Sequence, residues 1–520
     1  MKELPIGLQD FETLRRENML YVDKTERLLE LVTKGRRYFL SRPRRFGKSL
    51  TLSTLEAMFM GQAELFKGLS AERWVSEQAK NPFPVLRFDM SGLDIQTPQN
   101  LQISIKEVIR RFAGKFQVEI KSETLNGMFT DLLMEINEKY GAIVVLIDEY
   151  DKPILDNINN LKQANEMREV LRSFYVTLKS CDKYLRFVML TGISKFSKVG
   201  VFSALNNLED ISMDTRYGDV AGYTQQELEF FFNDWLIKVA SDLKIGRDEI
   251  LRRMKNYYDG FSFDGAIRLY NPFSILQCLS KGEFRNYWYE SGSPSFIINW
   301  MKEHNIQDPE EYRHIVVNGN DFISIQEIEQ ADAASLLYQS GYLTIEKKEE
   351  QLLTLDYPNK EVMNSLSSMY LKLIYRVEGY ALLGNEIWKA LRQGNINEIV
   401  RLYNIAIAGI PYEDYTKNRN EFWYRSLFIM LLRGAGIISY SEPHTSKGRA
   451  DLVLQFQNLV VVLEFKFAKN SNEVEGKKSE GFEQLKDRSY AKNYGIEGRK
   501  IISAVLVAND ENRVIIPLLI

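Results

Sequence analysis

The chain has 520 residues, more than a single hydrophobic core of ~250–300 residues serves, so roughly two to four domains are expected. Its 45% hydrophobic and 26% charged content excludes a mainly disordered or fibrous chain. The 67 basic and 70 acidic side chains leave a net charge of −3, so any nucleic-acid surface must be a local patch. Two cysteines, Cys181 and Cys278, lie outside any CxxC pattern. With only His304, His314 and His444 beside them, a structural zinc site is not expected. The opening Met-Lys-Glu-Leu-Pro stretch lacks the basic-then-apolar pattern of a secretory signal. The longest apolar runs, such as Ala142 to Ile147, fall far short of the ~18–20 residues of a membrane span. These features predict a cytoplasmic chain with no membrane partner.

The first 220 residues alternate short apolar runs with helical stretches. The runs are Arg37 to Ser41, Val85 to Asp89, Ala142 to Asp148 and Leu185 to Thr191. Continuous apolar runs between helices predict an α/β fold with a parallel sheet covered on both faces. From 221 to 295 the pattern turns helical and aromatic, broken by Asp259-Gly-Phe-Ser-Phe-Asp-Gly265 and Tyr270-Asn-Pro272. Residues 296–375 read as helices with a hairpin near Gly341 to Leu355, and 376–520 as a further α/β unit. That last unit is expected to hold a strong helix at 420–433, strands, a helix near 478–491 and closing strands.

After the first run comes Ser41-Arg-Pro-Arg-Arg-Phe-Gly-Lys-Ser49. Its tail has the chemistry of a phosphate loop. Gly47 lets the backbone approach phosphate, Lys48 reaches the β and γ oxygens, and the Ser49 hydroxyl can ligate Mg²⁺. Arg42 stands where such a loop carries its first glycine. Arg42, Arg44 and Arg45 are candidates either to neutralise triphosphate charge or to bind a partner's acid. The apolar strand ending in Asp148-Glu149 supplies two carboxylates at a sheet edge, where they need a cation or donors. Asp148 is expected to hold Mg²⁺ with Ser49, and Glu149 to polarise the attacking water. Thr191 and Ser194, ending the fourth run, are candidates for contact with the γ-phosphate, or they are ordinary turn hydroxyls. Arg216 is either a phosphate sensor or a solvated surface residue.

Tyr21-Val-Asp-Lys-Thr25, Arg42-Pro-Arg-Arg-Phe-Gly-Lys-Ser49, Asp148-Glu-Tyr-Asp-Lys-Pro153 and Tyr258-Asp-Gly-Phe261 with Tyr270-Asn-Pro-Phe273 together resemble the AAA-ATPase-like family of Bacteroides-type and related bacteria. The resemblance covers about residues 4–290 and includes the arginine at 42. It implies a P-loop NTPase core at 1–220 with a helical lid at 221–295 and a helical linker region at 296–375. It also implies ATP and Mg²⁺ as cofactors, a nucleotide base near Tyr21 to Thr25, and a nuclease-like domain at the C-terminal end. AAA-type ATPases often assemble so that a neighbour's arginine completes the site, which leaves a homo-oligomer open.

Lys447 to Phe456 and Leu459 to Phe467 read as two strands. A two-residue loop at Gln457-Asn458 would pair Asp451 directly with Glu464, with like charges ~4.5–5.5 Å apart at Cβ unless a cation sits between them. Alternation puts Glu464 and Lys466 on the face of Val460 and Val462. Two carboxylates and a lysine suit metal-assisted phosphodiester hydrolysis: Asp451 and Glu464 as Mg²⁺ ligands, Lys466 orienting the water. The Asp…Glu-x-Lys string resembles the PD-(D/E)XK nuclease superfamily over about residues 380–515. That resemblance implies a restriction-endonuclease-like α/β domain, a further acidic ligand at Glu421, and Gln484 and Tyr490 facing the site from a late helix. Lys466, Lys469, Lys477, Lys478, Lys486 and Arg488 form a candidate basic face. Aromatic residues at Trp288, Tyr289, Phe296 and Trp300 are read as buried rather than base-stacking. The expectation is an ATPase coupled to a nuclease-like domain acting on nucleic acid, DNA more than RNA. Its rival is a non-cutting ATP-dependent switch whose C-terminal domain only binds.

Overall fold

The computed structural model describes the chain except residues 196–207, 291–296, 298–299, 302–308, 323–331, 378, 411–418, 438, 442–443, 446–447, 450, 457–458 and 489–499. Two compact units emerge, one of Met1–Glu303 with Tyr312–Glu361, the other of His304–Glu311 with Val362–Ile520.

The first unit is built on five strands: β1 (Arg37–Ser41), β2 (Val85–Asp89), β3 (Ile143–Asp148), β4 (Leu185–Gly192) and β5 (Glu209–Asp210). Their order is β2-β3-β4-β1-β5 and every pairing is parallel. All six residues of β3 are buried, as a central strand covered on both faces requires. The four expected runs are therefore the four long strands, and β4 lies between β3 and β1. This order brings the carboxyl ends of β1, β3 and β4 together, the edge at which open parallel sheets bind ligands. The helices around them begin where side chains can cap them. Thr97 accepts from Asn100 N ahead of Pro98–Phe116, and Thr224 forms a capping box with Glu227 ahead of Gln225–Phe231.

Beyond the sheet, the expected hairpin is β7 (Thr344–Glu349) with β8 (Leu352–Asp356), joined by an unexpected third strand, β6 (Ile315–Asn318). Ile-Val-Val-Asn is too short and half-exposed to announce itself, and its partner is 34 or more residues away in sequence. Trp288 and Trp300 are buried, as expected. Tyr289 is half-buried and Phe296 lies outside the described residues.

Glu361 is fully buried, its carboxylate accepting from Ser274 Oγ at 3.0 and 2.8 Å and from Trp288 N at 2.8 Å. Burial pushes this carboxyl up to about 8. Folding thus favours the protonated form. The resulting stabilisation is complete below the unfolded value of ~4.3 and is lost as pH rises through the folded value. In Glu361→Gln the fall in thermal midpoint between about pH 6 and about pH 9 should flatten. An unchanged slope by calorimetry would show that the carboxyl makes no such contribution.

The second unit carries β9 (Ser439–Ser441), a short β10 (His444–Thr445) with β11 (Gly448–Arg449), then β12 (Leu452–Phe456), β13 (Leu459–Ala468), β14 (Lys500–Asn509) and β15 (Val514–Leu519). The main sheet runs β15-β14-β13-β12-β9, with β13 and β14 parallel and the other pairs antiparallel. Val460, Val462, Val505 and Val507 share one cluster with Leu485 of the helix Val474–Arg488. Phe465 points the other way, 5.6 Å ring to ring from Phe428 of the helix Glu421–Gly434. Each such aliphatic burial contributes roughly 1.5–3 kcal/mol. The late helix begins at Val474, four residues before its expected start, and Tyr490 lies outside the described residues.

Candidate functional site

β1 runs into the loop Ser41 to Gly47, and Gly47 opens the helix Lys48–Phe59 with φ 94. A left-handed conformation there favours glycine. Lys48 is buried, its Nζ donating to the loop's own carbonyls at Arg42 (2.9 Å) and Pro43 (3.0 Å). Burial pushes its ammonium down, while Glu149, Asp148 and Asp151 sustain the charge. A cleft of about 340 Å³ opens over this loop, lined among others by Arg44, Arg45, Lys48, Ser49, Glu149 and Lys152.

The three loop arginines have three different positions. Arg42 does not reach the cleft: it is 1% exposed and donates to the carbonyls of Ser41, Ser212, Tyr217 and Gly218. Its expected part in neutralising phosphate or binding a partner's acid gives way to a structural one, because the guanidinium is buried with both Nη groups on backbone oxygens. Arg45 lies in the cleft with φ 67, its guanidinium 5.0 Å from the Phe273 ring. Arg44 lines the cleft with its carbonyl held by Trp288 Nε1 at 3.2 Å. Arg216 is an exposed side chain paired with Asp214 and Glu209, which answers the alternative in favour of the surface.

At the end of β3, Asp148 is buried and its Oδ1 accepts from Thr191 Oγ1 at 2.7 Å and from Glu149 N at 3.1 Å. Glu149 has φ 50, an uncommon conformation for a residue with a Cβ and one that clusters at functional sites. Burial pushes its carboxyl up, opposed by Lys48 and Lys152. Thr191 and Ser194 are fully buried with their hydroxyls already donated, Thr191 to Asp148 and Ser194 to Asp151 Oδ2 at 2.7 Å. Neither lines the cleft; each touches the carboxylate that does the work of holding the strand ends together. Asp151 also accepts from Ile193 N and Ser194 N. Sequence reasoning gave Asp151 no role, although the spacing Asp148-Glu-Tyr-Asp151 was in view. The contact that reveals it joins the segment after β3 to the segment after β4.

A smaller apolar pocket of about 60 Å³ adjoins the cleft through Gly47, Leu50, Tyr223 and Pro272, and is lined by Tyr21, Val22, Lys24, Phe46 and Thr54. Lys24 is paired with Glu227 at 2.6 Å, and Asp23 accepts from Thr25 and Ser70. The Tyr21 to Thr25 segment therefore stands beside the phosphate loop.

In the second unit Leu452 pairs with Leu463 and Val453 with Val462, the expected register. Described pairing stops at Leu452, so Asp451 lies one residue past the ladder instead of forming a regular cross-strand pair. Its Oδ2 accepts from Phe465 N at 2.7 Å and its Oδ1 is 3.2 Å from Arg425 Nη1. Glu464 is fully buried, with Oε1 3.1 Å from Lys466 Nζ. Glu421 begins its helix behind the cap Asn420. Burial pushes its carboxyl up; Lys466 opposes this and Asp451 adds to it, so the charges of these residues are felt together. Gln484 is half-buried on the late helix, which approaches the sheet at Gly481, where a Cβ would lie 2.5 Å from Val505 and 3.4 Å from Lys466 Cγ. Arg425 was missed by sequence reasoning; its position one turn after Glu421 was the available signal.

The candidate basic face is partly neutralised, since Lys466 pairs with Glu464, Lys477 with Glu480 and Lys478 with Glu475. Outside these constellations, His314, Glu346 and Asp356 bring three ligand atoms within 4.8 Å, a grouping the count of histidines did not foresee. Asp356 is already bound by Arg313 at 3.0 Å, and His314 Nδ1 lies 2.8 Å from Glu346. These contacts already pair the members of the group with one another and with Arg313.

Comparison with known proteins agrees with this division. Residues 5–202 match the AAA-ATPase-like family described as "Predicted AAA-ATPase", and 419–517 match a PD-(D/E)XK nuclease superfamily family. The chain is 35% identical over 513 residues to an uncharacterized protein in the vnfD 5' region of Azotobacter chroococcum mcd 1, covering 96% of this chain and 95% of that one. Among solved structures, Aeropyrum pernix ORC1 in complex with DNA is 9% identical with a TM-score of 0.25, over 66% of this chain and 91% of that chain. Aeropyrum pernix ORC2 is 12% identical with a TM-score of 0.27, over 84% and 88%. Likeness at this level carries no argument about ligand or partner. The chain belongs to the family of the Azotobacter protein, with an N-terminal AAA-ATPase-like domain and a C-terminal domain of the PD-(D/E)XK nuclease superfamily.

Proposed function

We propose that this protein is a cytoplasmic ATP-dependent switch, in which nucleotide bound and hydrolysed by the N-terminal domain sets how the C-terminal domain engages nucleic acid, DNA ahead of RNA. In this reading residues 1–220 are the nucleotide-binding core, 221–295 its lid, 296–375 a linker region and 376–520 the nuclease-like domain. Gly47, Lys48 and Arg45 face the phosphates. Ser49 and Asp148 offer the hard oxygen donors that suit Mg²⁺, which would neutralise charge on the β- and γ-phosphates. Glu149 orients the water, and Thr191 and Ser194 act through Asp148 and Asp151. The two cysteines are free and buried, which fits a reducing compartment.

The observation that carries binding over cutting is the charge balance at the C-terminal site. Asp451 faces Arg425 at 3.2 Å and Glu464 faces Lys466 at 3.1 Å, so a divalent cation would compete with two fixed ones. The second reading, metal-assisted cleavage, is favoured by the gathering of Asp451, Glu464, Lys466 and Glu421, with Gln484 nearby. These carboxylates suit Mg²⁺ as ligands, and Lys466 would orient the water.

The test is binding and cleavage of labelled DNA and RNA, with ATPγS or ADP and with Mg²⁺ or Mn²⁺. The expected result is an affinity that changes about tenfold between nucleotides, worth ~1.4 kcal/mol, without strand scission. Scission lost in Asp451→Ala would establish the cutting reading instead, and equal affinity in both nucleotides would end the switch reading.

A further inference from the structure

The cleft over the phosphate loop contains an arginine whose backbone is held on both sides and whose guanidinium is uncommitted. Pro43 O, just before Arg44, accepts from Lys48 Nζ at 3.0 Å, and Arg44 O accepts from Trp288 Nε1 at 3.2 Å. Among the described residues the Arg44 guanidinium has neither an ion pair nor a hydrogen bond, although the side chain is half-buried and lines the cleft with Lys48, Ser49 and Glu149.

Of the other arginines of this region, three are tied to protein partners, and Arg45 shares the cleft with its guanidinium stacked on a ring. Arg42 is spent on four carbonyls, Arg87 bonds Glu56 and Ser49 O, and Arg216 is tied to Asp214 and Glu209. Arg45 lies over Phe273. Arg44 is close enough to Lys48 for its charge to oppose that of the ammonium.

We infer that Arg44 is a catalytic residue acting in cis, its guanidinium stabilising the charge that develops on the γ-phosphoryl oxygens as the bond to the β-phosphate breaks and water attacks. This rests on the nucleotide-turnover reading above. It removes the need for an arginine from a neighbouring subunit. With its backbone pinned and its guanidinium free of other partners, Arg44 can turn its donors to charge as it develops. In the balanced step, water adds to the γ-phosphorus, its proton passes to Glu149 or to the departing phosphate, and ADP leaves with the bridging oxygen. Lysine would retain the charge but lose the planar two-point contact.

The experiment uses the full chain as wild type, Arg44→Gln, Arg44→Lys and Lys48→Ala. Turnover is measured at several protein concentrations, and affinity is measured with ATPγS and with ADP. In Arg44→Gln, kcat should fall about a hundredfold or more while ADP affinity stays within about threefold, and Arg44→Lys should recover part of the loss. A mixture of Arg44→Gln and Lys48→Ala should stay inactive, because neither chain can lend the other its missing group. Restored turnover in the mixture would overturn the cis assignment in favour of a neighbour's arginine. Unchanged kcat in Arg44→Gln would overturn the catalytic role alone, whereas a wild type without turnover would end the underlying reading as well. A loss of ADP affinity equal to the loss of kcat would mark Arg44 as a structural residue of the loop.

Discussion

Arg42→Gly, which restores the glycine of an ordinary phosphate loop, is expected to destabilise the protein by about 3–5 kcal/mol rather than improve its nucleotide site. The guanidinium donates to Ser41 O at 2.8 Å, Ser212 O at 2.7 Å, Tyr217 O at 3.4 Å and Gly218 O at 3.3 Å, and lies 4.4 Å from the centre of the Phe263 ring. Its removal leaves buried carbonyls without a donor and a hole beneath an aromatic ring. Burial already pushes the guanidinium down to about 10, still leaving it charged at neutral pH. Arg42→Lys should regain less than half of the loss, since one ammonium cannot span carbonyls on both sides of the planar fork. Urea unfolding of the isolated variants measures this directly. A change below about 1 kcal/mol would mean that other donors reach those carbonyls.

The largest effect on activity is expected from Lys48→Ala, with ATP turnover falling about a thousandfold or more and ATP affinity falling with it. The Nζ atom is the buried cation at the base of the cleft, and the carbonyls that now hold it keep it pointed into the loop. Glu149→Gln should separate binding from turnover, with affinity for ATPγS preserved and kcat reduced about a hundred- to ten-thousandfold. The pH profile supplies a second check. Burial pushes the Glu149 carboxyl up, and a water-activating base must be ionised, so wild-type turnover should climb as pH rises through that raised value. In Glu149→Gln the residual rate should lose this acid limb. A limb that persists in the variant would assign it to another group.

Much of the candidate site was legible because its signals are local. Apolar runs bounded by polar residues mark buried strands wherever they occur, and β1 to β4 follow them within a residue or two. Gly47-Lys48-Ser49 opening a helix and Asp148-Glu149 closing a strand are statements about a few adjacent residues, and both stand at the expected places. The β12–β13 register was legible for the same reason: loop length and alternation together leave one pairing.

Other features depend on contacts across long sequence separations. Only the tertiary structure put Arg42 against the carbonyls of residues 212 to 218 and turned Thr191 and Ser194 toward Asp148 and Asp151. The same holds for β6 joining the hairpin and for Arg425 meeting Asp451. By itself the sequence determined where the residue types suited to phosphate and carboxylate chemistry stand, since residue type and short spacing decide that. The tertiary structure alone decided which of those groups remain available, because a buried hydroxyl has one proton to donate and a guanidinium buried with both Nη groups on carbonyls cannot turn to a ligand.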